Sequence, residues 1–429
     1  MKTTFRKSEQ FLKRAMKAIP LGSQTFSKSV AILPFGVSPY FVKDARGSHF
    51  WDLDGNKFLD FVNGLACVTL GYRDPDVDAA VIKQMKSGVT FSLPHPLETE
   101  VAELLIKMIP CAEMVRFAKN GSDATAAAIR IARAYTGRDR VAVCGYHGWH
   151  DWYIGSTTRN LGVPRNVQAL THIFPYNDYD FLEALFKKYS GRFAAVILEP
   201  MNSSWPLPGF LESIRNLTKR EGALLVFDET ITGFRFSRGG AQAYFEVEPD
   251  LATFGKGIAN GYPLAALVGR RRYMRIVEKI FFSGTFGGET LSLAAAKAVL
   301  SKINQRPVIK TLKERGEQIL SSTLDLIKSH GLSEIIKISG HPSWSFLKFE
   351  NCKPFSALEI KTLFIQEVFQ RNIYALGTHN LSYAHTKTNI KTLVKCYDEV
   401  FKILACSISK SEVRKRLHCK PCKPLFRVR

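Results

Sequence analysis

The sequence predicts an α/β protein built on a mostly parallel sheet covered by helices on both faces. Three observations carry this. Short apolar runs recur at Met114–Ala118, Arg140–Cys144, Ala194–Leu198, Ala223–Phe227, Leu251–Phe254 and Leu264–Val268. Amphipathic stretches such as Ser122–Tyr135 and Phe181–Tyr189 separate them. The runs are largely apolar on both faces, which is the pattern of strands buried on both sides. In such sheets ligands sit beyond the carboxyl ends of the strands. The polar residues that follow the runs are Asn120-Gly121-Ser122, Tyr146-His147, Glu199, Asp228 and Lys256, so separate strand ends supply one candidate site.

The flanks read differently. An N-terminal helix is expected from the spacing of Phe11, Leu12, Ala15 and Ile19, with short strands at Tyr40–Val42 and Ser48–Asp52 near a turn at Asp54-Gly55-Asn56. After about residue 300 the pattern becomes Lys/Glu-rich helix (Val308–His330), strand (Trp344–Phe349) and helix (Ala357–Gln370). The expected division is residues 1–70 and 301–405 as the two parts of a smaller α+β domain, 71–300 as the large domain, and 406–429 as a disordered basic tail. At roughly 150 residues per domain, a chain of 429 residues accommodates this division.

Composition narrows the class. Hydrophobic content of 45% and charged content of 23% are those of a globular protein. No apolar run approaches the ~18–20 residues that span a bilayer, and the start lacks the apolar stretch of a secretory signal, so no membrane partner is expected. Glu9 fits a packed helix better than a basic transit segment. The eight cysteines are dispersed, which points to a reducing cytoplasm. Cys419 and Cys422 form a CxxC beside His418, but a structural zinc site needs four ligands and no second pair is near, so no metal is expected. The net charge is +22, of which the segment from Cys406 onward carries +7. No helix-turn-helix, RNP-type or zinc-finger pattern accompanies it, so nucleic acid is not an expected partner.

Three segments carry chemistry. In FAKNGSDATAAAIRIARAYTGRD a strand ends, a Gly-Ser turn follows and an Ala-rich helix begins, presenting free N–H groups and a positive dipole end to an anion. Ser122 could donate to that anion or cap the helix. In GALLVFDETITGFR, Asp228 and Glu229 end an apolar strand, where a carboxylate needs a cation or a protonated heterocycle to stay ionised. Capping, or pairing with Arg235, would serve equally. In DLATFGKGIANGYPLAALVGR, Lys256 stands between two glycines at a strand end, a place where a lysine can be solvated or can form a Schiff base.

Together these segments resemble the class III aminotransferases of pyridoxal-phosphate (PLP) fold type I, the aspartate aminotransferase-like fold, and within them the glutamate-1-semialdehyde 2,1-aminomutase-like proteins. The resemblance runs from about residue 8 to about 405, through SEQFLKRAMKAIPLGS, DLDGNKFLDFVNG, NGSDATAAAIRIARAYTGRD, YHG, ILEP, DETITGFR, FGKGIANGYP, SGTFGGETLSLAAA and SYAHTKTNI. It implies pyridoxal 5'-phosphate as cofactor, held as a Schiff base by Lys256, with Asp228 on the ring nitrogen and Tyr146 stacked on the ring. Gly121 and Ser122 would hold the phosphate, and Asn202 would lie near the ring hydroxyl. Thr285 would reach the phosphate of a neighbouring subunit, which implies a homodimer with composite sites.

The sequence also departs from that pattern. Lys28 stands by register where the aminomutase has an arginine that grips the substrate carboxylate, and lysine lacks the planar fork. The loop GSTTRNLGVP is shorter by about eight residues. Gly288 and Glu289 enter the phosphate loop, and Thr230 replaces a valine behind the ring. These changes favour ordinary amino-group exchange on another substrate over semialdehyde isomerisation, and the leading reading takes glutamate as the small-molecule donor and a separate aldehyde or ketone as the acceptor. SQTFSKS and FGGETLSLAAA resemble a subgroup linked to bacterial surface-polysaccharide biosynthesis, which suggests a sugar-like acceptor. The alternatives are the aminomutase reaction and a non-catalytic binding protein on the same scaffold.

Overall fold

A computed structural model describes residues 3–423. These residues form two compact units, one of residues 75–309 and one of residues 3–74 with 310–423. No helix among them is long and apolar enough to cross a membrane.

The unit 75–309 is built on seven strands, β1 (Met114–Ala118), β2 (Arg140–Cys144), β3 (Thr171–Ile173), β4 (Phe193–Leu198), β5 (Leu224–Asp228), β6 (Leu251–Phe254) and β7 (Ala265–Gly269). Their order across the sheet is β1-β7-β6-β5-β4-β2-β3. The run β6-β5-β4-β2-β3 is parallel, whereas β7 is antiparallel to both its neighbours. Two reversals cancel, so β1 points the same way as β6. The carboxyl ends of β1, β2, β4, β5 and β6 therefore open on one edge of the sheet. Strands β4, β5 and β6 are buried along their whole length, as apolar residues on both faces require. Only β3 was invisible to the apolar-run argument, because Thr-His-Ile is short, half polar and at the sheet edge.

Helix α1 (Gly121–Thr136) packs its Ala124, Ala127, Ala128, Ile131 and Ala132 face into the core beneath this sheet, at 7% exposure or less. Small side chains let the helix approach the strands closely. Gly137 ends it in the left-handed conformation that glycine adopts without cost.

In the other unit the two ends of the chain share a sheet. Strands Val42–Arg46, His49–Asp52 and Lys57–Asp60 form an antiparallel meander, and Ile373–Tyr374 adds in parallel beside Lys57–Asp60. The turn at Asp54-Gly55-Asn56 thus leads into a third strand that the sequence reading lacked. Helix Arg6–Ala18 buries Leu12 and Ala15 but leaves Phe11 43% exposed.

The expectation of a disordered tail from residue 406 is corrected for the described part. Helix Lys387–Ser409 carries the chain past that point, and Val413, in the short helix Val413–Arg416, is fully buried. Arg414 pairs with Glu359, the His418 N–H donates to Gln366 Oε1 (2.8 Å), and the Cys422 N–H donates to Thr362 Oγ1 (2.9 Å). A single apolar anchor with polar clasps along helix Ala357–Gln370 orders a segment whose composition alone reads as solvated. Residues 424–429 lie outside the described residues.

Candidate active site

Asp228 is the last residue of β5 and is 4% exposed. Its Oδ1 accepts the Thr230 N–H (3.1 Å) and the Thr253 hydroxyl (3.1 Å). Its Oδ2 lies 2.9 Å from His147 Nδ1. The other ring nitrogen of His147 lies 3.1 Å from the Cys144 carbonyl. Both ring nitrogens thus face acceptors, and a proton on each satisfies the geometry: an imidazolium against a carboxylate. Burial pushes the Asp228 carboxyl up, but the hydrogen bond and charge of His147, with the Thr230 amide, outweigh it and hold the group below the usual carboxylate range.

Glu199 follows β4 and behaves oppositely. Burial first, then the negative charge of Asp228, push its carboxyl up to about 7 against the opposing pull of His147 and Lys256. Its Oε2 accepts the Tyr146 N–H at 3.3 Å. A side chain at Gly145 would overlap Glu199, so glycine is required for that approach, and its φ of 107° is one that other residues rarely adopt. Two carboxylates at neighbouring strand ends are thereby driven apart, one held ionised and one poised near neutrality.

Tyr146 stands above this pair with 50% of its surface exposed and its ring edge-to-face with Tyr153 at 5.7 Å. Tyr153 is itself pinned by a hydrogen bond from its hydroxyl to the Gly145 carbonyl (2.7 Å). The arrangement presents an aromatic face beside a buried anion.

The anion cradle lies at the start of α1. Asp123 reaches back to the Asn120 N–H (2.9 Å), so Asn120 and Asp123 cap the helix and Ser122 lies inside its first turn, free of the capping duty it was a candidate for. The Ser122 hydroxyl is 3.4 Å from the Trp149 amide, and a Cβ on Gly148 would collide with it. A Cβ on Gly121 would come within 3.1 Å of the Thr230 methyl, and one on Gly255 within 3.2 Å of the same atom. Gly121, Thr230 and Gly255 therefore converge, and Lys256 is the next residue. Thr230 Oγ1 is buried there without a protein partner. Lys256 opens the turn Lys256–Ala259 with φ 42°, a left-handed backbone for a non-glycine residue. Such conformations cost about 1–3 kcal/mol and persist where the surroundings fix them.

The remaining candidates are placed as follows. Thr285 is exposed in the loop before helix Thr290–Gln305 and lines a cavity of about 480 Å³ with Lys119, Asp123, Arg130 and His150, a lining that does not include Gly121 or Ser122. Asn202 turns its side-chain oxygen to the Ser204 N–H (3.1 Å) within its own loop. Lys28 is exposed at the end of the turn Phe26–Lys28 in the other unit. Glu229 faces away into a structural knot, accepting from Gln242 Nε2 (2.9 Å), the Gln242 N–H (3.1 Å) and the Thr232 hydroxyl (3.1 Å). Sequence reasoning had His147 and Glu199 among the strand-end residues but gave them no task. Among the described residues no group of three His, Cys, Asp or Glu side chains could hold a metal ion, and none of the eight cysteines forms a disulfide.

The chain matches the family model described as aminotransferase class-III over residues 34–370. It is 32% identical to the 3-aminobutyryl-CoA aminotransferase of Cloacimonas acidaminovorans over 92% of this chain and 96% of that protein. It is equally 32% identical to the glutamate-1-semialdehyde 2,1-aminomutase of Desulforamulus reducens, over 94% of this chain and all of that one. Among solved structures, the FumI protein of Sphingopyxis sp. MTA144 in its PLP internal aldimine form superposes with a TM-score of 0.89 at 28% identity, covering 97% of this chain and 99% of that one. The fold is thus PLP fold type I, and the chain belongs to the class-III aminotransferases, a pyridoxal-phosphate-dependent family.

Proposed function

We propose that this protein transfers an amino group from a donor amino acid, glutamate, to a separate aldehyde or ketone acceptor. The observation that carries the reading is the Asp228–His147 pair, a buried carboxylate kept ionised at the strand end next to the Gly255-Lys256 turn. The residues fit pyridoxal phosphate: two glycines leave room at the α1 N-terminus, and Thr230 Oγ1 is an orphaned buried oxygen beside them. When bound, the cofactor supplies a ring that accepts the electrons released at the substrate Cα.

The chain's own residues supply the rest. The amides at Gly121 and Ser122 and the α1 dipole bind the phosphate. Asp228 Oδ2 or Oδ1 holds a proton on the ring nitrogen, and His147 keeps that carboxylate charged. Tyr146 covers the ring face. Lys256 Nζ would tether the cofactor and would carry the proton away from the substrate Cα. Thr285 joins the phosphate of the partner subunit, making a homodimer with composite sites. Asn202 and Lys28 enter this proposal on sequence register alone, as neighbours of the ring hydroxyl and the substrate carboxylate. A sugar-like acceptor in surface-polysaccharide biosynthesis rests on the SQTFSKS and FGGETLSLAAA segments, and the cytoplasm on dispersed cysteines that form no disulfide.

A second reading, the semialdehyde aminomutase, is supported by relatives of that name at 32–38% identity. One experiment separates the two. The purified holoenzyme is mixed with a panel of amino donors while absorbance follows conversion of the pyridoxal to the pyridoxamine form. Stoichiometric 2-oxoglutarate from glutamate is the expected result. Turnover of the semialdehyde with no response to any separate donor would replace the leading reading. Lys256→Ala is expected to fold, to lose turnover entirely and to lose borohydride-fixable cofactor. Covalent fixation at full stoichiometry in that variant would remove Lys256 from its role.

A further inference from the structure

The opposite edge of the same sheet carries a second concentration of charge. A cavity of about 560 Å³ lies where β2 and β4 begin, lined by Arg138, Asp139, Arg140, Lys188, Tyr189 and Arg192 among others. Four of these lining residues are cations and one is a carboxylate. Arg138 donates to the carbonyls of Phe193 (3.2 Å) and Glu221 (2.7 Å). Arg140 donates to the Ala169 carbonyl (2.9 Å), lies 2.6 Å from His172 Nε2, and stacks on Tyr189 with its guanidinium carbon 4.1 Å from the ring centre. Lys188 sits over the same ring at 5.4 Å.

The acceptors that fix these guanidiniums are all uncharged. The carbonyls carry no net charge. His172 is pushed down to about 4, by burial first and then by Arg140 and Lys188, so it is neutral at physiological pH. Hydrogen bonding therefore orients Arg138 and Arg140 without neutralising them. Two cations lie against one aromatic ring, and an anion from outside would relieve their mutual repulsion. An ordinary solvated patch keeps its long side chains apart in water; here two of the four are half-buried and already ordered, which lowers the entropy cost of binding.

We infer that this cavity is an anion site for a diphosphate-type ligand, separate from the cofactor's phosphate cradle. The net charge of the lining is +3, from four cations and Asp139, which matches the roughly three charges of a diphosphate at neutral pH better than a single phosphate, at about −1.5 to −2. A five-residue strand spans roughly 16 Å, so the site does not touch the catalytic edge.

The test uses the PLP-loaded holoenzyme, whose phosphate cradle is already filled. Pyrophosphate is titrated calorimetrically at constant ionic strength, with ADP as a second arm to tell a free diphosphate from an esterified one. Wild-type protein is expected to bind at least one of the two saturably with a sub-millimolar Kd. Lys188→Gln/Arg192→Gln, which spares both ordered arginines, is expected to bind about tenfold or more weakly, with transaminase turnover unchanged. Lys310→Gln/Lys313→Gln, which removes two charges elsewhere, is expected to leave affinity unaltered. Absence of saturable binding for both ligands, equal affinity in the Lys188/Arg192 variant, or equal weakening by the Lys310/Lys313 variant would each overturn the site.

Discussion

Two buried aspartates end strands in the two units, and their environments send them in opposite directions. Asp60, which closes strand Lys57–Asp60 at 2% exposure, accepts the N–H groups of Val62 (2.7 Å) and Asn63 (3.0 Å) and the Tyr72 hydroxyl (2.6 Å). Asp228, at 4% exposure, accepts one amide and one hydroxyl and faces an imidazole. Burial raises Asp60 above its ordinary range in spite of its donors, whereas His147 turns the balance for Asp228 and lowers it. Neutral donors orient a carboxylate; a cationic one keeps it charged. The first arrangement ties a turn together, and the second keeps a buried carboxylate charged, the group that the proposed function assigns to the cofactor ring.

That contrast can be broken in graded steps. Asp228→Asn carries the largest effect: an amide cannot hold the ring nitrogen protonated, so kcat is expected to fall by about 10²-fold or more, some 2.7 kcal/mol, while the cofactor is still bound. Steady-state kinetics with near-normal kcat would make Asp228 structural. His147→Phe should turn Asp228 into a second Asp60, with its carboxyl raised by burial. Turnover is expected to drop about tenfold, and the pH profile of kcat should lose activity on the acid side at higher pH than wild type does. An unshifted profile would mean the imidazole is not what holds the charge.

Asp60→Asn should leave kcat within about twofold and cost roughly 1–3 kcal/mol of stability through its broken hydrogen bonds. The pH slopes distinguish the two aspartates as well. Asp60, raised in the folded state, contributes stability below its unfolded value of about 3.9 and loses it as pH rises through its folded value; Asp228, lowered, contributes stability above about 3.9 and loses it as pH falls. Urea unfolding across the acid range, wild type against each Asn variant, should therefore give difference curves of opposite sign. Curves of the same sign would contradict the assigned directions.

Much of this was legible in the sequence because burial on both faces writes itself into continuous apolar runs. Trp344–Phe349 and Ala357–Gln370 fall where expected, the run that became β4 gains one residue at its start, and those that became β5 and β7 shift by one residue. Lys256, Asp228, Tyr146 and the Gly121-Ser122 turn stand at ends of such runs. What the sequence could not show is pairing across it. His147 and Asp228 meet because β2 and β5 both flank β4, an order that no local spacing encodes. The ordering of residues 406–423 was equally hidden, since it depends on one buried valine and on polar groups of a distant helix.

The reversed direction of β7 has a consequence for how such an enzyme can be altered. Because β6 and β7 are antiparallel neighbours, the connection 255–264 that carries Lys256 returns directly to the adjacent strand with no crossover helix. The parallel strands on the other side are joined by excursions across a face of the sheet. The lysine segment is therefore a short connection clamped at Phe254 and Ala265, its buried Ile258 and Ala259 packed near helix Thr290–Gln305. It could be exchanged between relatives without rerouting any helix, whereas grafting the Asp228 or Tyr146 segments would carry whole layers of packing with them.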